Sequence, residues 1–318
     1  MNKKSLANLL LFLAPLFWTV NYLVARWAPG HITPHLLALG RWALALSLML
    51  IVLGPSIRRD WTNIRAAIQT EKWQCIVLGG LGMWICGAFV YVGGYTTQAI
   101  NIALIYASCP VLIAIVSAQF MHEKLNRLQT VGISLSLSGV LLVIGKGSLA
   151  TFTALQFNLG DWWIIAAASS WVAYTLLLKH WPSQLSPAIR LVAITAGGII
   201  VLIPFSLIEI VALSYTAPIS SFITLRGVGL IVLAAVFPGF LAYQAHAYLL
   251  RELGAAKTSV ILYLGPVYAA LAAWLLLDEA LYWYHWVGAA MVLPGVFLSS
   301  RTSANQLHAN AAQPHAKH

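Results

Sequence analysis

Ten long apolar stretches follow one another along this 318-residue chain, near residues 5–25, 34–53, 73–95, 98–120, 128–146, 162–179, 189–211, 227–250, 256–276 and 283–300. A helix needs about 20 such residues to cross the hydrocarbon core of a bilayer, and each stretch is long enough to do so. Alternation with a period of two is absent, and only helices or closed barrels satisfy their backbone inside lipid. The expected fold class is therefore an all-α membrane protein of ten transmembrane helices. Composition agrees: 60% of residues are hydrophobic and 8% are charged, against roughly 25% charged in a soluble domain. A water-soluble fold of this length has too little interior to hide that much apolar surface.

Lys3 and Lys4 precede the first stretch. A signal peptide has a shorter apolar region and a small-residue cleavage site, so this stretch reads as a retained first helix. The net charge is +10. In a soluble chain that would suggest nucleic acid, but no basic stripe is interleaved with aromatics. Membrane proteins gather Lys and Arg in their cytoplasmic loops. With the N-terminus inside, fourteen of the 18 Lys and Arg residues fall on the inner side; Arg26, Lys146 and Arg226 fall outside, and Arg41 lies within the second helix. Both termini are expected in the cytoplasm, with the chain multi-pass in a cell inner membrane. Cys75, Cys86 and Cys109 sit in apolar runs without metal-ligand spacing and read as small buried hydrophobes. The tail 301–318 is polar and expected to be disordered; His308, His315 and His318 are too loosely spaced for a metal site.

The chain is also duplicated. Pro110-Val111, Glu123, Leu125, Gly132, Gly139 and Val140 recur as Pro266-Val267, Glu279, Leu281, Gly288, Gly295 and Val296, each pair 156 residues apart, and Ala99 with Ala255 extends the match. A weaker echo pairs Trp18 with Trp171 and Arg26 with Lys179 at an offset of 153. Helices 1–5 thus correspond to helices 6–10. Five is odd, so the second repeat must be inverted relative to the first, as in many secondary transporters. The expected units are 1–146, 158–300 and the tail 301–318. Gly132 and Gly139 share one face of the fifth helix, and Gly288 and Gly295 one face of the tenth, which predicts close helix packing. Glu123 and Glu279 follow the fourth and ninth helices and read as capping or ion-pairing residues.

Several motifs resemble the drug/metabolite transporter superfamily, in particular its EamA branch. They are Trp18-Thr-Val-Asn21-Tyr22-Leu-Val-Ala25, Gly40-Arg41-Trp42, Ala103-Leu-Ile-Tyr-Ala-Ser-Cys-Pro110-Val, and the run from Gly254-Ala-Ala-Lys257 through Pro266-Val267 to Leu277-Asp278-Glu279-Ala280-Leu281. The resemblance spans about Leu6 to Ser300 and implies two inverted five-helix repeats and, commonly, export of small metabolites. One departure is Leu277-Asp278-Glu279, where the family usually has Leu-Gly-Glu.

Binding sites of such carriers lie near the midplane between the repeats. Helix counting places Tyr106, Pro110, Trp171, Tyr174, Tyr263 and Pro266 there, with Trp18, Asn21 and Tyr22 within two turns and Tyr243, Gln244 and His246 on the inner half of the eighth helix. Aromatic rings can bracket an organic body, and the two prolines permit kinks that could gate a pathway. Arg41, about seven residues into its helix, could bind a carboxylate, snorkel outward or pair with helix-end carbonyls. His246 could titrate near neutral pH or make a plain polar contact. Trp61, Trp73, Trp162, Trp163, Trp283 and Trp286 read as interfacial belt residues. No carboxylate falls mid-helix; Glu209 is near the outer end of the seventh helix and Asp161 just ahead of the sixth. That pattern argues against a buried-carboxylate proton cycle and against strongly cationic substrates.

The reading that follows is a carrier of small organic metabolites, amino-acid-like or otherwise neutral or zwitterionic, working by alternating access. No cofactor is called for. The partners expected are the lipid bilayer and a small-molecule substrate, not nucleic acid, with the chain a monomer or homodimer. A membrane-embedded enzyme would need a clustered His, Asp or Glu constellation, but the eight acidic residues are dispersed. A non-transport membrane subunit remains the other alternative.

Overall fold

The computed structural model describes residues 3–120, 126–148, 158–214, 224–258 and 260–299. Every regular element among them is a helix. Seven helices are long and apolar enough to cross a bilayer, and the runs Ala99–Ile113, Leu264–Leu277 and Trp283–Leu298 are shorter apolar helices. Glu123, the Tyr263 side chain and the tail 301–318 lie outside what is described.

Helices α1 (Lys3–Trp27) and α2 (Pro34–Arg59) are joined by a turn with Gly30 at φ +79°. The next helix, α3 (Trp61–Gly93), begins twelve residues before its expected start at 73. Residues 61–72 carry Arg65, Glu71 and Lys72, so hydropathy passes over them, although Ala, Gln, Glu and Lys favour helix. The expected fourth span is broken into α4 (Ala99–Ala107) and α5 (Cys109–Phe120). Pro110 has no N–H to offer the Tyr106 carbonyl. The Ser108 amide and hydroxyl both donate to the Ile105 carbonyl, at 3.1 and 2.7 Å, closing α4, and the chain resumes with Pro110 in the first turn of α5.

Helix α6 (Arg127–Ile144) starts in a capping box: the Asn126 side chain accepts from Gln129 N–H, and the Gln129 side chain accepts from Asn126 N–H, both at 2.8 Å. Helix α7 (Leu159–His180) is capped by Asn158, and α8 (Pro187–Ser214) follows. Helix α9 consists of Leu225–Ala234, a π-helical stretch Ala235–Leu241 containing Pro238, and Ala242–Thr258. Helices α10 (Val260–Leu277) and α11 (Trp283–Ser299) complete the described chain. A π-helical stretch also interrupts α3, at Gly80–Ile85.

The α6–α11 pair packs on the glycines whose spacing predicts it. A Cβ on Gly139 would lie 2.8 Å from Met291 Cβ, and one on Gly295 would lie 2.6 Å from the Ser136 amide. Helices α3 and α8 approach as closely, since a Cβ on Gly79 would meet the Gly198 amide at 2.2 Å. Small residues let helices come near enough for dispersion to hold them where lipid supplies no hydrophobic drive. Of the six tryptophans read as belt residues, five are exposed; Trp163 instead turns onto Phe89, ring centroids 4.8 Å apart.

The bundle has two polar ends. The first end gathers residues 28–33, 94–98, 145–148 and 278–282; there Thr224 Oγ donates to the His31 carbonyl at 3.2 Å and Glu209 accepts from the His35 amide at 3.0 Å. The second end holds Asp60 and residues 181–186, where Glu71 accepts from Ser183 Oγ at 2.5 Å and the Gln184 amide at 2.8 Å.

Candidate functional site

Arg41 is buried in α2, with 5% of its surface exposed. Its Nη1 donates to Asn21 Oδ1 at 2.9 Å and to the Tyr91 hydroxyl at 3.1 Å, and that hydroxyl donates to Asn21 Oδ1 at 2.9 Å. Three helices, α1, α2 and α3, are thereby tied at one point. The guanidinium carbon stands 4.5 Å from the centroid of the Trp42 ring, within cation–π range. Nε is buried without a partner among the described residues; it faces Gly239 in the π-helical stretch of α9, where an added Cβ would lie 3.8 Å away. Among the described residues no carboxylate forms an ion pair with Arg41. A buried charge held only by dipoles and a ring is costly unless an anion completes it.

The other predicted residues form neighbouring groups. Tyr22 and Tyr106 have ring centroids 6.1 Å apart, and the Tyr106 hydroxyl donates to the Cys86 carbonyl at 3.3 Å. Tyr243 meets Trp42 edge-on, ring centroids 6.2 Å apart. Trp171 stacks on Tyr174 at 5.1 Å, and Tyr174 covers Gly82 in the π-helical stretch of α3. Trp18 packs edge-on against His246 at 5.7 Å, in a separate cluster of α1 and α9 with Ala245 and Leu249. Trp18 and Trp171 therefore belong to different groups of rings. Gln244 lines a cleft of about 470 Å³ between these two helices, with Leu6, Leu10, Phe17 and Tyr248. Pro110 lies at the break between α4 and α5, whereas Pro266 is buried inside an unbroken α10.

Tyr91 is absent from the residues predicted for the site. A signal existed: it lies 155 residues before His246, and Ile76-Val77-Leu78 recurs as Ile231-Val232-Leu233 at the same offset. The placement of Asp161 needs correction. Asn158 starts α7 earlier than expected, so Asp161 falls in its first turn and is buried, not ahead of the helix, and Glu71 is buried within α3; the expectation that helices hold no carboxylate, and the argument drawn from it against a buried-carboxylate proton cycle, do not stand.

Glu279 does both jobs expected of it. Its Oε1 accepts from Arg26 Nε at 2.7 Å, and its Oε2 accepts from the Ala99 amide at 2.9 Å, capping α4. Arg26 Nη1 also donates to the Gly94 carbonyl at 2.7 Å. The first end is thus latched across α1, α3, α4 and α10. Beside it Asp278, which stands where the resemblance expects Gly, has φ +52°. That left-handed turn is one glycine adopts freely and aspartate tolerates at some cost.

The model of the EamA-like transporter family matches this sequence twice, over residues 5–145 and 158–301. The chain belongs to the EamA-like transporter family. The uncharacterized transporter YyaM of Bacillus subtilis is 28% identical over 286 residues, covering 90% of both chains. An uncharacterized transporter of Archaeoglobus fulgidus is 26% identical over 301 residues, covering 94% of this chain and 98% of that one. A WAT1-related chloroplastic protein of Arabidopsis thaliana is 23% identical over 242 residues, covering 74% and 56%. A solved crystal structure shares the fold with a TM-score of 0.61 at 17% identity, covering 94% of this chain and 98% of that chain. This EamA-like protein is accordingly a multi-pass membrane protein of a transporter family.

Proposed function

We propose that this EamA-like protein is a secondary carrier that exports small neutral or zwitterionic organic metabolites, amino-acid-like in form, by alternating access. The observation that carries the proposal is Arg41: a buried cation with no carboxylate partner and an unpaired Nε among the described residues, held by Asn21, Tyr91 and Trp42, with Tyr243 against Trp42. A substrate carboxylate would complete it, and the aromatic groups around Trp18, Tyr22, Tyr106, Trp171, Tyr174 and Tyr263 would receive an organic body. Gln244 and His246 would stand along the route from the cleft between α1 and α9, with Pro110 and Pro266 as the gating positions.

The seven long and three shorter apolar helices make up ten spans, α4 and α5 counting as one, in units 1–146 and 158–300 of opposite orientation. The Lys and Arg bias assigns the second end to the cytoplasm and the first to the outside of an inner membrane. In that frame the Arg26–Glu279 latch closes the outer side, while the cleft between α1 and α9 lies in the inner half, the arrangement of an inward-facing carrier. The chain would work as a monomer or homodimer.

The test compares metabolites released by overexpressing and deletion cells. The expected outcome is one or a few carboxylate-bearing metabolites enriched outside overexpressing cells and retained in deletion cells. Identical profiles, or enrichment confined to cations, would reject the proposal. A reporter active only outside the cytoplasm, fused after residue 301, should be silent.

A further inference from the structure

Asp161 has 1% of its surface exposed, Thr97 1% and Asn101 4%; they come from the first turn of α7, the loop after α3 and the first turn of α4. Thr97 Oγ1 donates to Asp161 Oδ1, and Asn101 Nδ2 approaches the same oxygen at 3.4 Å. Two oxygens of this cluster, Asp161 Oδ2 and Asn101 Oδ1, are buried with no hydrogen-bond partner among the described residues. No ion pair is formed with Asp161 among the described residues. The charged and titratable groups that act on it or flank it are Lys146, exposed after α6, and Tyr284, which meets His285 at 4.4 Å at the start of α11. Arg26 and Glu279, in the same polar end, are occupied with each other.

An ionised carboxylate and an amide oxygen are both acceptors only. Two such oxygens buried in one cluster lack a donor, and each unpaired polar atom there is costly. A proton on Asp161 turns one acceptor into a donor and removes the uncompensated charge in the same step. We infer that Asp161, framed by Thr97 and Asn101, is a proton-binding site opening toward the first end of the bundle. Its use as the driving-ion site rests on the carrier reading; proton binding itself does not. In that role the proton enters from outside and leaves to the cytoplasm as substrate moves out. Occupancy would alter the Thr97–Asp161–Asn101 knot that ties α7 to α3 and α4. A carboxylate at a helix N-terminus is more often a charged cap, favoured by the helix dipole. Here the cap is supplied by the Asn158 side chain, which accepts from Gly160 N–H at 2.9 Å.

The test uses the intact protein in lipid, with carbon-13 in the side-chain carboxyl of every aspartate. The chain has three aspartates, and Asp60 and Asp278 are exposed, so a protonated aspartate at neutral pH reports Asp161. Infrared difference spectra should show an isotope-shifted carboxylic-acid carbonyl band at neutral pH that vanishes as pH rises. The band should be lost in Asp161→Asn and should persist to higher pH in Thr97→Val, which removes a donor to the ionised form. Replacing choline by sodium should leave it unchanged. Absence of the band in the folded wild type, or its survival in Asp161→Asn, would overturn the inference. Loss of the band on adding sodium would do the same, by making the ligand a metal cation. Should Asp161→Asn fail to fold, the labelled wild type still decides. An intact band in a protein that transports nothing would strike the carrier reading alone.

Discussion

The two halves of this EamA-like protein share a backbone device and differ in chemistry. Helices α3 and α9 each carry a π-helical stretch, Gly80–Ile85 and Ala235–Leu241, and these align at the 155-residue offset that matches Ile76-Val77-Leu78 to Ile231-Val232-Leu233. Helices α2 and α8 start at Pro34 and Pro187, 153 residues apart. Yet the knot of Asn21, Arg41 and Tyr91 in the first half is replaced by Tyr174, Ile194 and His246 at the corresponding offsets. Single-turn π stretches are frequent at functional sites because they re-aim side chains inside a helix. In this molecule one of them turns Gly82 toward Tyr174 and the other presents Gly239 to Arg41. The π-helical device therefore occurs in both halves, whereas the Asn21–Arg41–Tyr91 knot occurs in one.

The largest expected effect comes from making the halves alike. Arg41→Ile installs the residue of the second half and removes the guanidinium from Asn21 and Tyr91, leaving only the Tyr91 hydroxyl to donate to Asn21 Oδ1. Loss of a buried charge contact of this kind is worth about 3 kcal/mol or more, so transport of a carboxylate-bearing substrate should fall at least ~100-fold while the protein still inserts. Retained transport in vesicles would remove Arg41 from the site.

Next in size is a packing exchange. Gly79→Ala, which places in α3 the residue that α9 has at 234, would drive a Cβ to 2.2 Å from the Gly198 amide. Overpacking of this kind costs about 1–3 kcal/mol. A lower Tm in detergent is expected, with Gly229→Ala, where nothing lies within 4 Å, as the neutral or slightly stabilising control. Equal Tm changes in the two variants would contradict the close α3–α8 approach.

Arg26, at the first end, is tied to Glu279 and Gly94, while Arg59, beside Asp60 at the second, is exposed. Arg26→Ala should cost about 1–3 kcal/mol, as for hydrogen bonds to charged groups, and should make a cysteine placed at Gln98 more reactive to an impermeant thiol reagent. Arg59→Ala should change stability by less than about 0.5 kcal/mol. A reversal of that order would argue against the latch.

The smallest effect is a gain. The first half turns at Gly30 with φ +79°, and the second turns at Asp278 with φ +52°. Asp278→Gly should relieve a left-handed aspartate and stabilise by up to about 1 kcal/mol, seen as a small rise in Tm. A fall would show that Asp278 makes a contact outweighing its backbone cost.

These differences also bear on how much of the fold is legible in the sequence. The helices were legible because lipid imposes one rule on every span, and the Gly132, Gly139, Gly288 and Gly295 contacts because small residues seven apart share a face. The π-helical stretches were not, since a shift from i→i−4 to i→i−5 bonding leaves hydropathy unchanged; Gly79-Gly80 and Pro238 only hint at them. The early start of α3 escaped because a helix outside the hydrocarbon need not be apolar. The burial of Asp161 is not legible because a single cap, Asn158, decides whether it sits before the helix or inside its buried first turn. Tyr91 was passed over because one hydroxyl in an apolar run has no periodic signature, while its partner Arg41 stood out as a charge.

The most direct measurement of the central claim is uptake by proteoliposomes of zwitterionic amino-acid-like solutes beside their neutral analogues lacking the carboxylate, for wild type and Arg41→Lys. Lysine keeps the charge but loses the planar fork that grips a carboxylate. A carrier that reads carboxylates through Arg41 predicts a clear wild-type preference for the zwitterions, cut by about tenfold (about 1.4 kcal/mol) in Arg41→Lys, with neutral analogues little changed. Equal handling of both classes by the wild type, or an equal loss of both in Arg41→Lys, would contradict it.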